Sequence, residues 1–312
     1  MSLRRDRRAG AALAGVSALL LAGLVPVFAS ARSEAQSTVH DRTFWVGLRS
    51  AGFRLPQNES ALPLALEAAS LLASTDPELR DATAYEAIET WVYREQRLDA
   101  AELNQLRATL SANARRGLGE ASGDGLFLRS FSILALAVLA AEDLKKPFLD
   151  SQPFDGLVDL AIEELGGERD LRGYIPGKGW GHATAHTADL LKFLARSHRL
   201  RPEQQSRMVN AIAERLRSAG QVFVWGEDAR LAAALTAIAG RSDADPGPFL
   251  AWFKRLTAEH ATLWSGTFDP VRYVPVRAQL NTLAAFAADL EAAGGPDAGI
   301  RAALRSLRAE AQ

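Results

Sequence analysis

The stretch Asp76-Pro77-Glu78-Leu79-Arg80-Asp81-Ala82-Thr83-Ala84-Tyr85-Glu86-Ala87-Ile88 decides the fold. A proline in a first turn costs a helix no hydrogen bond, and spaced alanines let a neighbouring helix approach closely. Working outward, apolar residues keep helical spacing almost without interruption. The pattern predicts helices near 60–74, 78–96, 99–115, 126–143, 154–165, 181–196, 202–218, 227–239, 247–260, 277–293 and 297–310. Breakers separate them: Asp76-Pro77, the glycines from Gly117 to Gly125, Lys146-Pro147, Gly166-Gly167, Asp245-Pro246-Gly247 and Gly294-Gly295-Pro296. Only short runs such as Gln221 to Trp225 alternate like strands. Many helices, short connections and almost no sheet predict an all-α chain of stacked helical hairpins.

The 76–88 stretch also resembles the inner helix of a HEAT repeat, which implies a HEAT-like α-solenoid or a related α/α superhelix. The plainer reading is an ordinary amphipathic helix with a good N-terminus.

The first 31 residues stand apart. Arg4, Arg5, Arg7 and Arg8 precede an apolar run from Gly10 to Phe28, and Ala29-Ser30-Ala31 supplies small residues for cleavage. That order predicts a secretory signal peptide over 1–31 and an exported, periplasmic or extracellular product. The alternative is an uncleaved N-terminal anchor, since the run is just long enough to span a bilayer. No later segment is expected to span. A polar extension is expected over 32–58, and a single helical domain over 59–312.

The chain has 312 residues, 48% hydrophobic and 23% charged, and a net charge of −1. Removing residues 1–31 takes away four Arg and one Asp, which brings the charge to −4. A mildly acidic chain without basic runs interleaved with aromatics has no general attraction for nucleic acid. The absence of cysteine excludes disulfides, thiolate nucleophiles and cysteine metal sites.

The most unusual stretch is Glu168-Arg169-Asp170-Leu171-Arg172-Gly173-Tyr174-Ile175-Pro176-Gly177-Lys178-Gly179-Trp180-Gly181-His182, continuing to His186 and Asp189. Here a charged, glycine-rich loop runs into a helix. His182, His186 and Asp189 lie at i, i+4 and i+7, so two imidazoles and a carboxylate share one face. That set suits a divalent metal such as zinc. Ala183 stands where an H-E-x-x-H motif needs its Glu, which disfavours a zincin-type peptidase. The structural alternative is a hydrogen-bonded network between histidines and loop. The loop also falls short of a phosphate-binding P-loop: its spacing is one residue short and Gly179 replaces the Ser/Thr. Its glycines then read as turn formers, with Trp180 anchoring the loop on the core.

Three further clusters stand out. Glu227 and Asp228 open a helix, followed by Arg230, where the helix dipole favours the acids. Arg129 sits in the apolar run from Phe127 to Ala141 and needs a carboxylate partner such as Asp170 or Asp189. Asp81 and Glu86 flank Tyr85, as a solvated face. No G-x-S-x-G elbow or dinucleotide fingerprint is present.

These residues resemble a bacterial family named for a domain of unknown function, number 2785. The resemblance rests on Leu79-Arg80-Asp81 with Tyr85, Phe127 to Ser132, Asp170 to Tyr174 with Gly179 to Asp189, and Gly226 to Leu231. Gly181 stands where that family more often has Ala. The resemblance implies a helical-repeat-like fold and supplies no activity. It suggests that the four clusters form one feature. The expectation is therefore a polar pocket with candidate groups His182, His186, Glu227 and Arg172, supported by Trp180, Asp170, Arg129, Asp228 and Arg230. It would serve a metal-assisted or acid–base hydrolytic activity, with Arg172 and Glu227 touching substrate. The competing class is a non-enzymatic scaffold holding a peptide or protein partner.

Overall fold

A computed structural model describes residues 40–293 and 298–310. The expected signal peptide lies outside them. They belong to one compact unit, Val39–Gln312, and are all-α, with twelve helices when 77–94 is counted once. In order these are α1 (Arg42–Ser50), α2 (Ala61–Leu71), α3 (77–94), α4 (Ala100–Arg115), α5 (Gly125–Lys145) and α6 (Ser151–Gly167). After a two-stranded hairpin come α7 (Ala183–Ala195), α8 (Pro202–Ser218), α9 (Glu227–Ala239), α10 (Gly247–Ala261), α11 (Pro270–Ala293) and α12 (Ala298–Glu310).

Local chemistry sets these boundaries. Asp76 accepts from the Glu78 amide at 2.9 Å ahead of Pro77, which starts α3. α3 then widens into π turns over Arg80–Tyr85 and Thr90–Arg94. Asp99 and Glu102 form a reciprocal capping box on α4, both bonds 2.9 Å.

Helices alternate in packing partners. α3, α5, α7, α9 and α11 follow one another as neighbours, and α4, α6, α8, α10 and α12 form a second succession behind them. α5 is the centre: it is buried from Leu126 to Asp143 apart from Leu134. Each large apolar side chain there, such as Phe127 or Leu136, contributes about 1.5–3 kcal/mol on leaving water.

Two expectations are corrected. α5 is in fact long and apolar enough to cross a membrane, with a mean hydropathy of 1.7, but 89% of that window is buried within the fold. Arg129 had masked this by interrupting the run. And the supposed polar extension contributes α1, whose Trp45 and Leu48 are buried in the core. Its nine residues carry a clear apolar face but fall short of the window of about 11–18 residues in which a helical period is read. α11 also begins earlier than expected, because Pro275 lies inside it rather than ending it.

Candidate functional site

The loop from 168 to 182 folds as a short hairpin. Tyr174–Ile175 (β1) pairs antiparallel with Gly179–Trp180 (β2). Lys178 N donates to Ile175 O at 2.9 Å, with Pro176 and Gly177 between them and Gly177 at φ +76°. That is the chemistry of a type II turn. Gln221 to Trp225, which alternates like a strand, forms none. Its last residue, Trp225, instead packs on the hairpin.

Arg80 holds the hairpin down. It is fully buried, donating to Ser74 O at 2.8 Å and Lys178 O at 2.7 Å, with Asp81 2.7 Å from its Nε. Its guanidinium lies 4.1 Å over Phe127 and 4.8 Å over Phe131. Asp81 is therefore half-buried against Arg80 rather than part of a solvated face.

At the junction with α7, His182 adopts φ +56°, unusual for a side-chain-bearing residue. Its Nε2 lies 2.9 Å from Trp225 O, which only accepts, so Nε2 carries the proton. Glu227 Oε1 lies 3.6 Å from the same nitrogen, and Glu227 Oε2 accepts from Trp225 N at 2.9 Å. The two buried side chains thus grip both backbone groups of Trp225. Trp180 stacks on the His182 ring at 4.5 Å and 19°. Burial holds the His182 imidazole below its ordinary range, against the pull of Glu227.

One turn on, His186 Nδ1 lies 3.2 Å from Ser130 O and 2.7 Å from Ser130 Oγ. The carbonyl only accepts, so Nδ1 donates; Ser130 Oγ in turn donates to Gly181 O. Ser130 is fully buried and spends its proton on a carbonyl, so it orients His186 rather than acting as a nucleophile. Burial keeps the His186 imidazole well below its usual range, reinforced by His182 and Arg230. The rings of His182 and His186 meet edge to face at 5.9 Å.

The expected metal set does not close in this arrangement. Asp189 pairs with Arg230 and, at 3.1 Å, with Lys192. His182 Nε2 and His186 Nδ1 both act as donors. Among the described residues no three His, Asp or Glu side chains gather as ligands.

Arg129 is buried, but its partner is Glu168, at 2.6 Å from Nε and 3.3 Å from Nη2, not Asp170 or Asp189. Asp170 is engaged by Arg172, whose Nε donates at 2.8 Å. Asp228 is half-exposed and bonds only the Ala229 amide of its own turn. Trp180, expected on the core, is 38% exposed.

The structure thus joins three expected residues, His182, His186 and Glu227, with Trp180 above them; Asp189 and Arg230 pair on the adjoining turns of α7 and α9. Arg172–Asp170 and Arg129–Glu168 brace the loop. Sequence reasoning missed Ser130, Tyr174 and Trp225. Tyr174 (47% exposed) and Trp225 (48%) form a rim with Trp180, with ring centroids 5.2, 5.9 and 6.2 Å apart. No sequence signal pointed to Trp225: the close approach at Gly173, where a Cβ would lie 2.1 Å from Trp225 Cδ1, is visible only in the structure. Beside the rim a cavity of about 230 Å³ is lined by Arg172, Gly173, Tyr174, Gln221, Trp225 and Glu227, among others. A hollow of about 340 Å³ near Trp264 and Tyr273 contains none of the expected residues.

A family model described as protein of unknown function, DUF2785, matches residues 115–283. The match includes Arg129, the loop, α7 and the start of α9, and excludes the Leu79 to Tyr85 stretch. No curated protein and no solved structure matches the chain.

Proposed function

The chain belongs to the family described as protein of unknown function, DUF2785, and we propose that it is an exported ligand-binding protein whose site is the aromatic rim over His182 and Glu227. One observation carries this reading. Two buried polar side chains use their hydrogen bonds to fix the backbone of Trp225, whose ring is half in solvent. A fold gains little by fixing an exposed indole so firmly; a binding site gains preorganisation. Contiguous exposed aromatics next to a cavity are the usual mark of recognition.

The test is a thermal-shift and tryptophan-fluorescence screen of ring-bearing small molecules. Ligands should stabilise the protein, and Trp225→Ala should abolish the effect. A screen in which no molecule stabilises the protein, or in which the hits survive Trp225→Ala, would overturn the reading.

A second reading, general acid–base hydrolysis, is favoured by the His182–Glu227 pair beneath the rim. Here Glu227 would take a proton from the attacking water and return it to the leaving-group oxygen, with the His182 N–H facing its carboxylate, while substrate lies on the rim close to Arg172. Glu227→Gln separates the two: the amide oxygen still accepts from Trp225 N, but the proton-exchanging carboxylate is gone. Turnover of chromogenic esters or glycosides that Glu227→Gln abolishes would establish hydrolysis. A metal-assisted version requires Asp189 to leave Arg230, and elemental analysis of chelator-free protein tests it. The export reading rests on the order of basic, apolar and small residues in 1–31. It expects a mature N-terminus near Arg32, checked by intact mass.

A further inference from the structure

We infer that the ligand of the Tyr174–Trp180–Trp225 rim is a neutral carbohydrate, one ring of which enters the adjoining cavity while the rest lies across the aromatics. This rests on the ligand-binding reading above and narrows it to a chemical class.

The cationic groups around the rim are paired within the protein. Arg172 is held by Asp170, Lys178 by Asp124 at 2.7 Å, Arg230 by Asp189, and Glu227 faces His182 at 3.6 Å. A phosphate or carboxylate ligand would have to displace one of the arginine or lysine pairs to find a counter-charge, and its desolvation would go uncompensated; Glu227, the carboxylate in the cavity lining, already accepts from Trp225 N and faces the His182 N–H. A neutral ligand meets no such cost.

Shape comes next. The three rings touch: Tyr174 stands at 74° to Trp180, and Trp225 at 76° to it. They leave no slot between them, so a ligand must lie over them as on a platform. The cavity beside them, about 230 Å³, is smaller than the roughly 300–1,000 Å³ of pockets for drug-sized molecules. It offers the side chains of Arg172, Gln221 and Glu227 together with loop backbone. A sugar ring meets both demands at once. Its C–H face covers aromatic surface, and its hydroxyls both donate and accept toward the cavity's mixed polar lining.

Preorganisation completes the case. Gly173 presses on the Trp225 side chain, and His182 and Glu227 hold its backbone. The platform is therefore set before any ligand arrives, which suits a weakly interacting, hydrated ligand that cannot support much ordering.

The experiment is affinity electrophoresis of the full chain in gels containing soluble neutral polysaccharides of glucose, xylose, mannose or galactose. At least one polymer should retard the wild type. Tyr174→Ala and Trp225→Ala should each weaken retardation roughly two- to tenfold, the weight of one aromatic contact. Trp264→Ala, 65% exposed near the other hollow, should bind as wild type. Circular dichroism of each variant checks that it has folded, and Tyr174→Ala stands in if Trp225→Ala does not fold. No retardation by any polymer overturns the inference, as does undiminished retardation of a folded Tyr174→Ala. Rim-dependent binding of a ring ligand that is not a sugar overturns it while leaving the ligand-binding reading intact.

Discussion

Two buried carboxylates do opposite work: Glu168 opens the loop from 168 to 182, and Glu227 opens α9. Glu168 closes on Arg129: both of its oxygens meet the guanidinium, Oε1 also accepts the Asp170 amide at 2.9 Å, and both side chains are out of solvent. Glu227 faces a neutral imidazole, and its other oxygen goes to the backbone of a residue whose side chain is half in water. The first pair is an internal brace. The second transmits order outward, to Trp225. The difference shows that burial of a charged group does not mark function; what the group's hydrogen bonds hold in place does.

The largest expected effect tests the brace. Arg129→Ala leaves Glu168 buried without its counter-charge and should cost about 3–5 kcal/mol by urea denaturation. A loss under about 1 kcal/mol, the level of a surface pair, would show that Glu168 is not enclosed.

Next is a pH dependence belonging to the brace alone. Glu164, with both oxygens buried and unbonded, is pushed up from 4.5 to about 8, first by burial and then by the charge of Glu168, against Arg129. The folded protein therefore holds this proton more tightly than the unfolded chain. Its contribution is complete below about pH 4.5 and is lost as pH rises through about 8, on the order of 1 kcal/mol per pH unit. Glu164→Gln should flatten that decline and denature at higher urea than the wild type above about pH 8. An unchanged profile would refute the shift.

Gly173→Ala sharpens the other side of the comparison. Its Cβ would strike Trp225, at a cost of about 1–3 kcal/mol, and should shift the tryptophan emission. In a Trp225→Ala background the same change should cost far less. Equal costs in both backgrounds would mean that Gly173 does not position the indole.

Asp228→Ala should have the smallest effect, about 0.3–1 kcal/mol from the helix dipole, because Asp228 bonds only its own turn. A larger loss would indicate a partner for it across the site.

Eleven of the twelve helices were legible, because most bury an apolar face, α5 is apolar nearly all round, and Pro, Gly or capping residues separate them. α1 was not, since its apolar face is clear but spans only nine residues, shorter than the window of about 11–18 residues in which a helical period is read. Within the site, the i, i+4 spacing placed His182 and His186 correctly on one turn, and the need to pair Arg129 was correctly read. The partner was not: Glu168 and Asp170 are two residues apart in a loop, and only the loop's path determines which one turns inward. Trp180 was read as an anchor because a tryptophan's composition signals burial. Instead one face stacks on His182 and the side chain remains partly in solvent.

The sequence by itself determined that the protein is helical, where nearly every helix begins and ends, and which loop concentrates polar chemistry. These follow from local spacing and turn residues, which act over a few positions. Only the tertiary structure decided that Ser130 sets the His186 proton, that Asp189 goes to Arg230, and that His182 and Glu227 converge on Trp225. Those contacts join residues 41 to 56 positions apart on different elements, for Ser130–His186, His182–Trp225 and Asp189–Arg230. A hydrogen bond is satisfied by whichever partner the packing brings within about 3 Å.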